Sequence, residues 1–307
     1  MKLESWLHRL EEARETDPST SVGICLDALR QAPGAVVVRA LGQLRRLGHD
    51  GFAEAALAAF PRLCQDGRRA DPGCAGRMAI AEGLLALDWN QTEPWHTGIG
   101  LVQWEPVFGG RVDAAAGLRG LCALGLVRAE DARAPLALAR LLADSQGEAR
   151  RGAIRALREA PESWALPLLA HRALLRTEDV DAQLDLFHGL LEREHAAAFE
   201  LVADFLCADW EEGREAAAIA LGERGGEAGA RRLWECLDAE PLRERRRPYW
   251  LGLALSRAEA GRGELLARLG TGGRELRREV ELALDGVLDD TLRAALAGGR
   301  ASARRGG

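Results

Sequence analysis

The chain has 307 residues, 47% of them hydrophobic and 29% charged, enough for about two ordinary domains or one long repeat array. Aromatic residues make up only 5%, β-branched residues are scarce, and Ala, Leu, Arg and Glu dominate. That mixture favours helix over strand, because straight-chain side chains lose little rotamer freedom in a helix. The net charge of −6 argues against nonspecific nucleic-acid binding, which rests on neutralised phosphates, and no uninterrupted apolar run reaches the roughly 18 residues of a membrane span.

The opening stretch, Met1-Lys2-Leu3-Glu4-Ser5-Trp6, lacks the apolar core of a secretory signal, so a soluble cytoplasmic protein is expected. Leu3, Trp6, Leu7 and Leu10 fall on one face of a first helix. Residues 22–29 make a second helix, closed by Pro33-Gly34. Residues 1–34 are therefore expected to form N-terminal capping helices.

From residue 35 onward a leucine preceded by Ala or Gly recurs, at Leu41, Leu84, Leu124, Leu157, Leu190, Leu221, Leu255 and Leu284. From Leu124 the intervals are 33, 33, 31, 34 and 29 residues, the period of a stacked helix pair. Four residues before each leucine stand Val37, Ile80, Gly120, Ala153, Leu186, Ala217, Leu251 and Val280, all apolar or small. Positions −4, −1 and 0 share one helical face, and the small residue lets a neighbouring helix approach closely. Arg77, Arg150, Arg214 and Arg277 occupy position −7, and Glu148, Asp181, Glu212 and Glu275 occupy position −9. These two columns are expected to form a ladder of solvent-facing ion pairs. A second apolar segment follows each first helix, at 52–63, 134–142, 164–175, 195–206, 228–237 and 263–269, after breaks such as Gly225-Gly226.

The segments Glu148-Ala149-Arg150-Arg151-Gly152-Ala153-Ile154-Arg155-Ala156-Leu157 and Glu215-Ala216-Ala217-Ala218-Ile219-Ala220-Leu221-Gly222 resemble HEAT repeats, especially the bacterial HEAT-like class of phycobilisome lyases. The resemblance covers about residues 35–290. It implies an all-α, right-handed α-solenoid of about eight stacked antiparallel helix pairs, with second helices lining a concave side. No single activity is implied, because such scaffolds are reused for many tasks. The array is expected to span 35–297, and the small, basic stretch 298–307 is expected to be a disordered tail.

The rhythm breaks between Asp88 and Asp113. This stretch holds Trp89, Trp95, His96, Trp104, Glu105, Phe108 and Arg111, interrupted by Pro94, Pro106 and Gly109-Gly110. A short helix or extended turn plus a loop is expected. These seven residues form a candidate partner-binding surface, since Trp and Arg anchor binding hot spots and irregular insertions on repeats carry recognition. The alternative is that the tryptophans plug a gap between unlike repeats. His96 has no second histidine or carboxylate at ligand spacing, so no metal is expected.

Arg243, Arg245, Arg246 and Arg247, followed by Trp250, form the only dense basic cluster. They give a second candidate surface, for phosphates and stacked bases, against the alternative of a solvated loop. The six cysteines include no C-x-x-C pair and read as structural thiols. Deoxyhypusine hydroxylase would require repeated His-Glu pairs, and the chain has none. A HEAT-like DNA-repair glycosylase and a phycobilin-lyase-like chaperone stay open as alternatives. The leading expectation is a noncatalytic, cofactor-free scaffold or adaptor that binds another protein through a concave face and the 88–113 insertion.

Overall fold

The computed structural model describes residues 3–176 and 178–302. Among them are nineteen α-helices and a single two-stranded sheet. The chain divides into two compact units, residues 1–165 and 166–307.

The first unit begins with α1 (Leu3–Glu12) and α2 (Pro18–Gln31), then α3 (Gly34–Arg46), α4 (Ala53–Gln65), the short α5 (Gly67–Ala70) and α6 (Ala75–Ala86). It continues through α7 (Glu93–Ile99), β1 (Trp104–Val107), β2 (Gly110–Asp113), α8 (Ala116–Arg128), α9 (Ala134–Leu142) and α10 (Gly147–Glu159). The division between units falls inside α11 (Glu162–Leu174). The second unit holds α12 (Val180–Leu191), α13 (Ala196–Asp204), α14 (Glu211–Arg224), α15 (Gly226–Ala239), α16 (Arg247–Leu255), α17 (Glu264–Thr271), α18 (Arg274–Ala283) and α19 (Asp290–Ser302). Helix α19 takes in the start of the stretch expected to be a disordered tail. The rest of that stretch, 303–307, lies outside the described residues.

Local chemistry sets the helix ends. Asp17 accepts the Ser19 and Thr20 N–H groups, with Pro18 in the first turn behind it. Asp179 caps α12 through the Ala182 N–H, 2.9 Å away. Pro94, Pro135 and Pro248 likewise occupy first turns, where a missing N–H costs nothing.

Within each unit the first helices of successive pairs pack in a row, α3 on α6 on α8 on α10 in one, and α12 on α14 on α16 on α18 in the other. All eight residues at −4 are buried, as are all eight small residues at −1. Two crossings are close enough to require glycine. A Cβ on Gly120 would stand 2.7 Å from the Gly152 Cα, and one on Gly222 would collide with the Gly252 carbonyl. Exposed ion pairs repeat with the same step: Arg128 with Glu159, Arg232 with Glu200, Arg243 with Glu275 and Arg247 with Glu215 are 31 or 32 positions apart.

The −7 arginines correct the expected ladder: Arg77 and Arg214 are buried, Arg77 on the Asp71 carboxylate, and Arg150, Arg214 and Arg277 staple the segments before their helices. Arg150 donates to the Asp144 carbonyl at 2.9 Å and Arg214 to the Ala208 carbonyl at 3.0 Å. Arg277 reaches the Leu269 carbonyl at 2.9 Å. In these three segments a carbonyl before the first helix is left without a helical partner, and a guanidinium carries enough donors to cover it.

Candidate functional site

In the first unit, the stretch expected to be a short helix or extended turn plus a loop is the short helix α7 followed by a hairpin. β1 and β2 pair antiparallel, with Trp104 opposite Asp113, Glu105 opposite Val112, Pro106 opposite Arg111 and Val107 opposite Gly110. Gly109 carries the turn at φ +83°, a conformation that disfavours residues with a Cβ. A two-stranded ribbon alone is marginal in water. Here its base is held by a buried polar network.

Asp71, fully buried, accepts from the Gly76 N–H at 2.7 Å, the Arg77 N–H at 3.0 Å and the Arg77 Nε at 2.9 Å. Arg77 also donates to the Gln103 side-chain oxygen. Gln103 gives its amide to the Asp71 carbonyl at 3.0 Å and to Glu105 at 2.7 Å, and its backbone N–H to Asp113 at 2.8 Å. Arg119 completes the chain of contacts, donating to Asp113 at 2.7 Å, to the Leu101 carbonyl at 2.7 Å and to Asp144 at 3.0 Å. Burial acts to raise the Asp113 carboxyl, but hydrogen bonds from the Gln103 N–H, Arg119 and the Ala115 N–H overcome it and hold it below its ordinary value.

Beyond this base the hairpin projects apolar side chains into water. Trp104 is 43% exposed and Phe108 fully exposed, with Val102, Val107 and Val112 exposed beside them. Arg111 lies over the Trp104 ring, 4.6 Å from its centroid. Trp104, Pro106, Arg111 and Asp113 share one face by register, and Val107 and Val112 lie on the other. Exposed apolar side chains therefore stand on both faces of the ribbon and at its turn.

The other candidates in the 88–113 stretch are placed differently. Trp95 is buried against Gly125, where its ring leaves no room for a Cβ, so it packs α7 onto α8 and is withdrawn from any contact surface. Trp89 is half-buried. Glu105 is turned to the network, where it accepts the Gly73 N–H at 2.8 Å as well as Gln103. His96 Nε2 lies 2.6 Å from Asp131. The Arg133 guanidinium beside Asp131, with the His96 ring, holds that carboxyl well below the usual carboxylate range against the opposing effect of burial. His96, Arg133, Arg140 and Asp144 line an open cleft of about 460 Å³. Among the described residues no three His, Cys, Asp or Glu side chains meet in a set that could hold a metal ion.

In the basic cluster every arginine side chain lies near an acidic one. Arg243 meets Glu275 and Glu279, Arg245 meets Asp209 and Glu240, Arg246 meets Glu279, and Arg247 meets Glu215. Each cation therefore already faces a carboxylate. Trp250 is largely buried, donates to Glu279 at 3.0 Å and makes a T-shaped contact with Trp234; with Arg243 and Arg247 it lines a cleft of about 450 Å³.

Sequence reasoning missed Asp71, Gln103, Asp113, Arg119 and Asp144, and placed Arg77 in a solvent-facing ladder rather than in this network. The signal was a spacing: Asp71 and Arg77, Asp113 and Arg119, and Asp144 and Arg150 are each six residues apart across a helix start.

No family model matches the chain, and no curated protein matches it in sequence. Among solved structures it is similar to that of human deoxyhypusine hydroxylase in complex with glycerol, at 16% identity over 90% of this chain and 97% of that one, with a TM-score of 0.31. The matched protein is an enzyme, and the expectation of a noncatalytic chain is withdrawn on that finding. At this TM-score the likeness carries no argument about a reaction. No helix among the described residues is long and apolar enough to cross a membrane.

Proposed function

We propose that this chain binds another protein through the aromatic hairpin of its first unit. The observation that carries the reading is a contrast at 104–113: a buried, charge-rich base, and Trp104 beside it and Phe108 at the turn standing in water. An anchored tip is pre-organised, so a partner that covers it spends little on ordering it. Trp and Arg, here stacked as Trp104 and Arg111, are the side chains that dominate binding hot spots.

In this reading the helix pairs are HEAT-like repeats of a right-handed α-solenoid, with second helices adding to the binding surface. The rows of first helices within each unit and the ion pairs 31 or 32 positions apart support it. The test is a Trp104→Ser/Phe108→Ser double variant, whose affinity for the captured partner is expected to fall about 30-fold or more with helicity unchanged. Undiminished affinity overturns the proposal.

A further inference from the structure

The cysteines of the second unit do not fit the expectation of inert, buried thiols. In the first unit Cys25, Cys74 and Cys122 are buried and Cys64 half-buried, whereas in the second Cys236 is half-buried and Cys207 exposed. Cys207 ends the short 3-10 turn that follows α13, and Cys236 lies in the last turn of α15. Although 29 positions apart in sequence, the two residues are brought together where the 3-10 turn packs on α15. Burial first, then Cys207, pushes the Cys236 thiol up to about 11. Both sulfurs line one open cleft of about 540 Å³, together with Asp204, Asp209, Glu235, Glu240, Arg232 and Arg245. Four carboxylates against two guanidiniums give that cleft a negative balance.

We propose that Cys207 and Cys236 form a reactive dithiol that is oxidised by small cationic disulfides, of the aminothiol class, to an intramolecular disulfide. Cys207 is the accessible sulfur. Its thiolate, the proton having gone to solvent, attacks one sulfur of the reagent R–S–S–R; that bond breaks, and one RS⁻ departs and is protonated. Cys236 then loses its proton to water and attacks the Cys207 sulfur of the mixed disulfide, forming the Cys207–Cys236 bond and releasing the second RSH. Two protein thiols are oxidised and one reagent disulfide is reduced to two thiols. The acidic rim attracts a cationic reagent and repels an anionic one, which fixes the substrate class.

The test treats the full chain with cystamine, the cationic probe, and with oxidised glutathione, the anionic one, and reads intact mass and linked peptides. The expected result is a loss of two hydrogen masses, a peptide pair joining Cys207 to Cys236, and a rate about tenfold higher for cystamine. Cys236→Ser is expected to stop at a single aminothiol adduct on Cys207. A wild-type chain that stops at that adduct, links a different pair, or reacts as fast with oxidised glutathione overturns the proposal. The wild-type measurement stands whether or not the serine variant folds.

Discussion

The Asp113 carboxylate and the Arg119 guanidinium lie 2.7 Å apart with side chains no more than 4% exposed, and this pair joins the last residue of the hairpin to helix α8. A buried pair of this kind contributes little beyond what a well-packed apolar substitute would, yet breaking it strands a charge. Arg119→Met removes the donor to Asp113, Asp144 and the Leu101 carbonyl together. It is expected to cost about 3–5 kcal/mol in urea unfolding of the full chain. A loss under about 1 kcal/mol contradicts the role assigned to the network.

The same site gives the stability an acid limb. The Asp113 pKa is lowered in the folded chain, so its contribution is present above the unfolded value of about 4 and is lost as pH falls through the lower folded value. Asp113→Asn should therefore be less stable than wild type at neutral pH, and the gap should narrow steadily in denaturant titrations taken down toward pH 3. A gap independent of pH contradicts the assignment.

The helix rows depend on glycine in some places and tolerate it in others. Gly152→Val drives a side chain into the backbone at Gly120, and overpacking of that kind costs about 1–3 kcal/mol or more. Gly42, inside α3, has open space where a Cβ would go. Gly42→Ala is expected to stabilise the chain by about 0.5–1 kcal/mol. Thermal unfolding of the two variants should move in opposite directions.

The inward arginines should behave as structural donors. Arg214→Met leaves the Ala208 carbonyl without its partner and is expected to cost about 1–3 kcal/mol, with no dependence on salt. A loss that disappears at high ionic strength would restore the solvent-facing ladder.

The helical character, and the faces that carry it, were legible because the −4 and −1 columns depend on local periodicity alone. Leu124 and Leu255 are half-buried rather than buried, so the leucine column tracks the core less closely than the small residues beside it. The hairpin was not legible. Its strands are four residues long and Pro106 interrupts the alternation, so Gly109-Gly110 reads as a loop rather than as the turn of a pair. Trp95 and Trp104 look alike in sequence, and only the position of Gly125 on α8 decides that one is enclosed and the other is not. The arginines at 243–247 read as a free basic patch because Glu215, Glu275 and Glu279 reach them from other helices.

The most direct test of the hairpin as a partner-binding element places a photo-crosslinking amino acid at Phe108 of the full chain in its native cells. The account predicts one discrete crosslinked protein, formed from Phe108, absent when the same probe replaces Leu242 in the second unit, and lost when Trp104→Ser is added. Crosslinking that is absent at Phe108, or that persists undiminished with Trp104→Ser, contradicts it.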